Sequence, residues 1–172
     1  GGCETGMVQQ QKQSSSAMES RSPEVAGCGN EVVTQSFGAK QAIRVLVAED
    51  DDAARIALAY ILQSAGFQVR QAKNGFEALA EAAQGVDVIL LDIQMPMLDG
   101  IGTLHELRKD PQTAKAAVII LTSHASRDYV LKCAKLGAEG FVVKQTMELE
   151  GLVAKIHAAM LLRQARDSLA AP

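Results

Sequence analysis

Five short apolar runs, each followed by a segment of helix length, punctuate the chain from Ile43 onward, and this alternation constrains the fold more than any other feature. The runs lie near residues 43 to 48, 67 to 71, 87 to 91, 117 to 121 and 140 to 143. Val45-Leu46-Val47-Ala48 and Val88-Ile89-Leu90-Leu91 are continuously apolar, as a parallel strand covered on both faces requires. The segments between carry helix punctuation. Asp51 or Asp52 can cap the first helix and Gly66 end it; Asn74 opens the second and Gly85 closes it; Ser126 and Gly137 bracket the fourth. In the last, Leu149, Leu152, Val153, Ile156 and Met160 make one apolar face. The pattern predicts an α/β, flavodoxin-like doubly wound (βα)5 fold, a five-stranded parallel sheet in the order 2-1-3-4-5 with helices on both sides.

Acidic residues stand where two of these runs end. The first run leads into Glu49-Asp50-Asp51-Asp52 and the third into Asp92. In an open parallel sheet the carboxyl ends of the strands converge on one crevice, so these carboxylates gather there. They repel one another unless protonation or a divalent cation relieves the charge, and an all-oxygen set favours a hard cation such as Mg²⁺. Helix capping alone is the better reading for Asp51 and Asp52. A nucleotide or flavin site would instead need a glycine-rich or hydroxyl-rich anion loop after the first strand, where this chain places four acids. Asp50 and Asp52 match the Asp-x-Asp spacing of a haloacid-dehalogenase-type phosphatase, but Ala53-Ala54-Arg55 supplies no supporting threonine.

The 172 residues suffice for one domain plus extensions, and a formal charge of -3 with dispersed lysines and arginines gives no basic stripe for a phosphate backbone. Direct nucleic-acid binding is therefore not expected. Neither is membrane insertion, since no apolar run approaches the ~20 residues of a span; a cytoplasmic protein is expected. Residues 1–42 contain Gln9-Gln10-Gln11-Lys12-Gln13-Ser14-Ser15-Ser16 and no hydrophobic period, which predicts a disordered low-complexity tail. Cys3, Cys28 and Cys133 lack metal-site spacing, and Cys133 reads as a small core residue.

Five segments together resemble the receiver domain of two-component response regulators. They are Val45-Leu46-Val47-Ala48-Glu49-Asp50-Asp51-Asp52-Ala53-Ala54-Arg55; Asn74-Gly75-Phe76-Glu77-Ala78-Leu79; Leu90-Leu91-Asp92-Ile93-Gln94-Met95-Pro96-Met97-Leu98-Asp99-Gly100; Ile120-Leu121-Thr122-Ser123; and Gly137-Ala138-Glu139-Gly140-Phe141-Val142-Val143-Lys144. The resemblance covers residues 43–163, with 164–172 left as a C-terminal helix extension or linker. It implies that Asp92 is the phosphoacceptor, taking a phosphoryl group from a histidine kinase or histidine phosphotransfer protein. It implies Mg²⁺ held by Asp50, Asp92 and the backbone carbonyl of Gln94, and through water by Glu49. Lys144 would pair with Asp92 or the phosphoryl group. Thr122 and Phe141 would form the switch, although Phe141 also suits ordinary strand packing. Gln94 and His124 occupy the variable positions that influence how fast the acyl phosphate hydrolyses, although His124 also reads as a solvated loop residue.

Three positions depart from the family pattern. Glu49 replaces the more frequent Asp, a change that a water-bridged role tolerates. Ser123 is larger than the residue usual there, narrowing access to the acceptor. Gln145 stands where proline usually follows the lysine, so a trans peptide and a differently shaped loop are expected after the fifth strand.

The resemblance makes the chain a phosphorylation-dependent switch, not an enzyme except in assisting its own phosphorylation and dephosphorylation. Output would pass through partner binding or a homodimer on the face of helix 4, strand 5 and helix 5. Leu161-Leu162-Arg163-Gln164-Ala165-Arg166-Asp167-Ser168-Leu169 continues in helix-favouring residues, as a linker to an output domain would. The alternative is a receiver-like interaction module that acts without phosphate.

Overall fold

A computed structural model describes residues 42–123 and 127–170. Its elements alternate as the sequence predicts: β1 (Arg44–Ala48), α1 (Asp52–Ser64), β2 (Gln68–Ala72), α2 (Gly75–Ala82), β3 (Val88–Asp92), α3 (Gly100–Lys109), β4 (Ala117–Thr122), α4 (Arg127–Lys135), β5 (Gly140–Val143) and α5 (Leu149–Ala170), with a 3₁₀ turn at Lys144–Thr146. The five strands form one parallel sheet in the order β2-β1-β3-β4-β5. Strand boundaries agree with the sequence reading to within one residue. Residues 1–41 of the expected tail, together with His124 and Ser126, lie outside the described residues.

Alternation along the central strands builds two apolar layers. Leu46, Ile89, Leu91, Val118 and Ile120 face one way, toward Ala78 and Ala82 of α2, Leu104 and Leu107 of α3 and Cys133 of α4. Val45, Val47, Leu90, Ile119 and Leu121 face the other way, toward Leu58 and Leu62 of α1 and Leu152, Ile156 and Ala159 of α5. Every residue of β3 and β4 is buried, which explains why those runs carry no polar alternation. Edge strand β2 is exposed at Gln68, Arg70 and Gln71, whose polar side chains suit an edge.

The caps expected at Asp51 and Asn74 form, and Asp99 supplies one for α3 that the sequence reading did not single out. Asp51 accepts from the Ala54 amide at 2.7 Å, Asn74 from Glu77 at 2.9 Å and Asp99 from Gly102 at 2.7 Å. Gly66 and Gly137, past the ends of α1 and α4, hold φ of 90° and 91°, where a side chain would be strained. One detail of α5 differs. Leu149 is 44% exposed, while Ala159 is buried. Burial along α5 begins one turn later, at Leu152.

Candidate functional site

Parallel register brings the carboxyl ends of four strands together. Ala48 pairs with Leu91, which sets Glu49 beside Asp92; Asp92 pairs with Leu121, and Thr122 with Val143, which sets Lys144 just beyond the sheet. Glu49, Asp92 and Thr122 are buried, whereas Asp50 and Gln94 are exposed. Lys144 extends over this rim and places Nζ 3.0 Å from Asp92 Oδ2 and 2.6 Å from Glu49 Oε2. Lys144 thus reaches Asp92 from the first position of a 3₁₀ turn that contains Gln145 instead of proline.

Both side chains of the closer pair are electrostatically displaced. Burial pushes the Glu49 carboxyl above its ordinary value, Lys144 opposes the rise, and the Asp92 charge adds to it. Burial works against the Lys144 ammonium, yet the adjoining Glu49 and Asp92 carboxylates hold its pKa above the ordinary lysine value.

A hard cation fits this pocket. Glu49, Asp50 and Asp92 can present carboxylate oxygens that all lie within 4.8 Å of one another. Glu49 Oε2 is buried with no aligned hydrogen-bond donor, since its contact with Lys144 Nζ has ion-pair distance but not hydrogen-bond geometry. Three carboxylates against one ammonium leave negative charge uncompensated, and the donor atoms are oxygens of the kind Mg²⁺ takes.

The loop after β3 is shaped to keep Asp92 in place. The Leu98 amide donates to Pro96 O at 2.8 Å across Met97, whose φ is 68°, which is a γ-turn in its strained form. The chain then folds back, and the Gly100 amide donates to Ile93 O at 2.9 Å. A Cβ on Gly100 would lie 2.2 Å from the Asp92 carbonyl oxygen. On the opposite rim, Arg55 Nη1 donates to Glu49 O at 3.0 Å and its Nη2 pairs with Asp52, tying the acidic loop to α1.

Of the residues singled out from sequence, Glu49, Asp50, Asp92 and Lys144 come together, and Thr122 ends the neighbouring strand. Gln94 lies two residues beyond Asp92 with its side chain exposed. Phe141 is half-buried on β5 and packs against the layer that includes α4. Sequence reasoning missed the fit of Gly100 under Asp92, although the Asp-Gly pair at 99 and 100 carried the signal. It also missed Glu139, whose carboxylate is fully buried among arginines.

A family model for the response regulator receiver domain matches residues 45–157. The Klebsiella pneumoniae transcriptional regulatory protein CpxR is 40% identical over 118 residues, covering 68% of this chain and 49% of that protein. A probable chemotaxis protein CheY of Rhizobium etli is 36% identical over 104 residues, covering 59% of this chain and 81% of that one. The solved structure of Vibrio cholerae chemotaxis protein CheY4 superposes with a TM-score of 0.65 at 29% identity, over 69% of this chain and 98% of its own. The chain spans 14% to 30% of the length of the first three curated relatives it matches. Strand order, the acidic rim with its lysine and these matches agree: the chain belongs to the response regulator receiver domain family.

Proposed function

We propose that Asp92 accepts a phosphoryl group from a histidine kinase or histidine phosphotransfer protein and that the acyl phosphate switches partner binding. The observation that carries this reading is the Lys144 ammonium 3.0 Å from Asp92 Oδ2, beside two further carboxylates. A carboxylate oxygen of Asp92 attacks phosphorus as the P–N bond to the donor imidazole breaks, leaving the imidazole with the electron pair. Lys144 orients the acceptor and then offers its ammonium to the phosphoryl oxygens. Asp50, Asp92 and the Gln94 carbonyl, with Glu49 through water, would hold Mg²⁺, which would supply the remaining neutralisation of charge on the transferring group. The chain assists its own phosphorylation and dephosphorylation in this scheme and acts on no other substrate.

Thr122 is the residue we assign to meet the phosphoryl group from β4, with Phe141 on the adjacent strand responding by turning inward. Gln94, at the open mouth of the site, and His124, outside the described residues, tune hydrolysis by orienting or blocking the attacking water. Output runs through the face of α4, β5 and α5, by homodimerisation or by contact with a downstream output domain, in the cytoplasm. Among the described residues no helix is long and apolar enough to cross a membrane.

Intact mass after incubation with phosphoramidate and Mg²⁺, beside an Asp92→Asn control, tests the reading. One added phosphoryl group that requires both Mg²⁺ and Asp92 is the expected result. No addition from phosphoramidate or from a phosphorylated histidine donor would leave the phosphate-independent interaction module as the function.

A further inference from the structure

Glu139 lies at the end of the sheet away from Asp92, between α4 and β5, and its side chain has no solvent exposure. Its Oε2 accepts from the Val118 amide at 2.6 Å and from Arg108 Nη2 of α3 at 2.9 Å. Its Oε1 accepts from Arg166 Nη1 at 3.1 Å, and Arg163 Nη1 stands 3.7 Å away; both arginines belong to α5. Arg108 also donates to the carbonyls of Ala116 and Gly137, the second just past the end of α4. One buried carboxylate therefore joins the floor of β4, the end of α4, α3 and the far part of α5.

The remainder of α5 shows why this junction matters. The last α5 side chains packed on the apolar layer are Ala159 and Met160. Beyond them Leu161, Leu162 and Leu169 are 66%, 56% and 88% exposed, so among the described side chains no buried apolar contact secures the final turns. A helix end without such contacts frays readily. Here Arg163 and Arg166 fasten it, both to Glu139, with Arg163 also pairing with Asp167 at 3.2 Å. Arg108 Nε and Arg163 Nε are buried without hydrogen-bond partners, so the cluster is cation-rich and incompletely satisfied.

We infer that Glu139 is an ionic latch that holds the last turns of α5 against the domain and ties them, through Arg108, to the end of α4. Removing its charge leaves three arginines facing one another and frees the segment from Arg163 to Leu169. Because Arg108 also grips the Gly137 carbonyl, a shift of α4 on phosphorylation is passed to the end of α5. This second consequence rests on the phosphoacceptor reading, whereas the latch itself does not.

Hydrogen exchange read by mass spectrometry on the full chain, with and without Mg²⁺ and beryllofluoride, separates the two. In the wild type the amides of the last two turns of α5 exchange slowly; in Glu139→Gln they exchange about tenfold faster or more, while those of β1 and β3 keep their protection. Unchanged exchange in that segment of the folded variant would overturn the latch. Should Glu139→Gln not fold, Arg166→Met, altered at a half-exposed side chain, takes its place with the same criterion. Beryllofluoride is expected to change exchange in the segment in the wild type and not in the variant; an equal change in both would overturn the coupling. Failure of beryllofluoride to alter the Asp92 loop in either protein would count against the phosphoacceptor reading and leave the comparison without it standing.

Discussion

Gly100 leaves no room for a methyl group, because its missing Cβ would sit 2.2 Å from the Asp92 carbonyl and 2.8 Å from Ile93 Cα. Both are backbone atoms and cannot rotate away. Gly100→Ala is expected to cost about 1–3 kcal/mol, the usual range for overpacking, and to weaken Mg²⁺ binding by shifting Asp92. Urea unfolding with a parallel Mg²⁺ titration checks both; loss of stability without loss of affinity would mean that the loop, not Asp92, absorbs the displacement. Met97 has the opposite expectation. Its φ of 68° holds a bulky residue where glycine is at ease, so Met97→Gly is expected to gain about 1 kcal/mol by relieving the turn. At this scale the place of Asp92 was legible in the sequence because it ends an unbroken apolar run, and the role proposed for it came from the resemblance to receiver domains. Lys144 was legible from its place just after the fifth apolar run, read together with that resemblance. Glu139 was not. Its partners lie 31 residues upstream and 27 downstream, and nothing local distinguishes a glutamate enclosed by arginines from one on the surface.

Elements answer to a different physics, in which layers of side chains set the cost of change. Leu90 in the central strand is fully buried against α1 and α5, so Leu90→Ala is expected to cost 2–5 kcal/mol, depending on how far the neighbours close the gap. Thermal or urea denaturation reads this directly. Strand positions were legible because burial on both faces demands uninterrupted apolar residues, and helix starts because Asp51 and Asn74 supply side-chain acceptors where amides lack partners. The reach of α5 was less legible. Leu149 fits the apolar period yet is 44% exposed and outside the layer it would join, and beyond Met160 the side chains of Leu161, Leu162 and Leu169 are exposed. Periodicity reports which face of a helix is apolar but not how far along the helix a partner extends.

The molecule has two charged ends that respond differently to solution conditions. At the floor, Asp87 accepts from the Arg44 amide at 2.8 Å and from its guanidinium at 2.8 and 3.2 Å. Burial alone would raise the Asp87 carboxyl, but the bonds from Arg44 outweigh it and hold the carboxyl below the ordinary aspartate value. Its contribution to stability is therefore complete above the ordinary value near 3.8 and lost as pH falls through the lower folded value. Asp87→Asn is expected to flatten the acid limb of a stability profile below pH 4 while leaving Mg²⁺ affinity alone. At the crevice Glu49, Asp50 and Asp92 crowd three carboxylates against the one Lys144 ammonium, a repulsion that a bound cation would relieve. On the proposed reading Mg²⁺ would bind the assembled pocket and not the unfolded chain, so at a hundredfold excess over Kd it is expected to add about 2.7 kcal/mol, several degrees in Tm. Asp50→Asn removes the exposed carboxylate of the three, so the variant should start more stable without metal, having lost a repulsion, and respond little to Mg²⁺. A melting series for both proteins against Mg²⁺ decides the matter: parallel upward shifts would place the ion outside this pocket. A raised baseline with a flat response in the variant would tie both the repulsion and its relief to the same three oxygens.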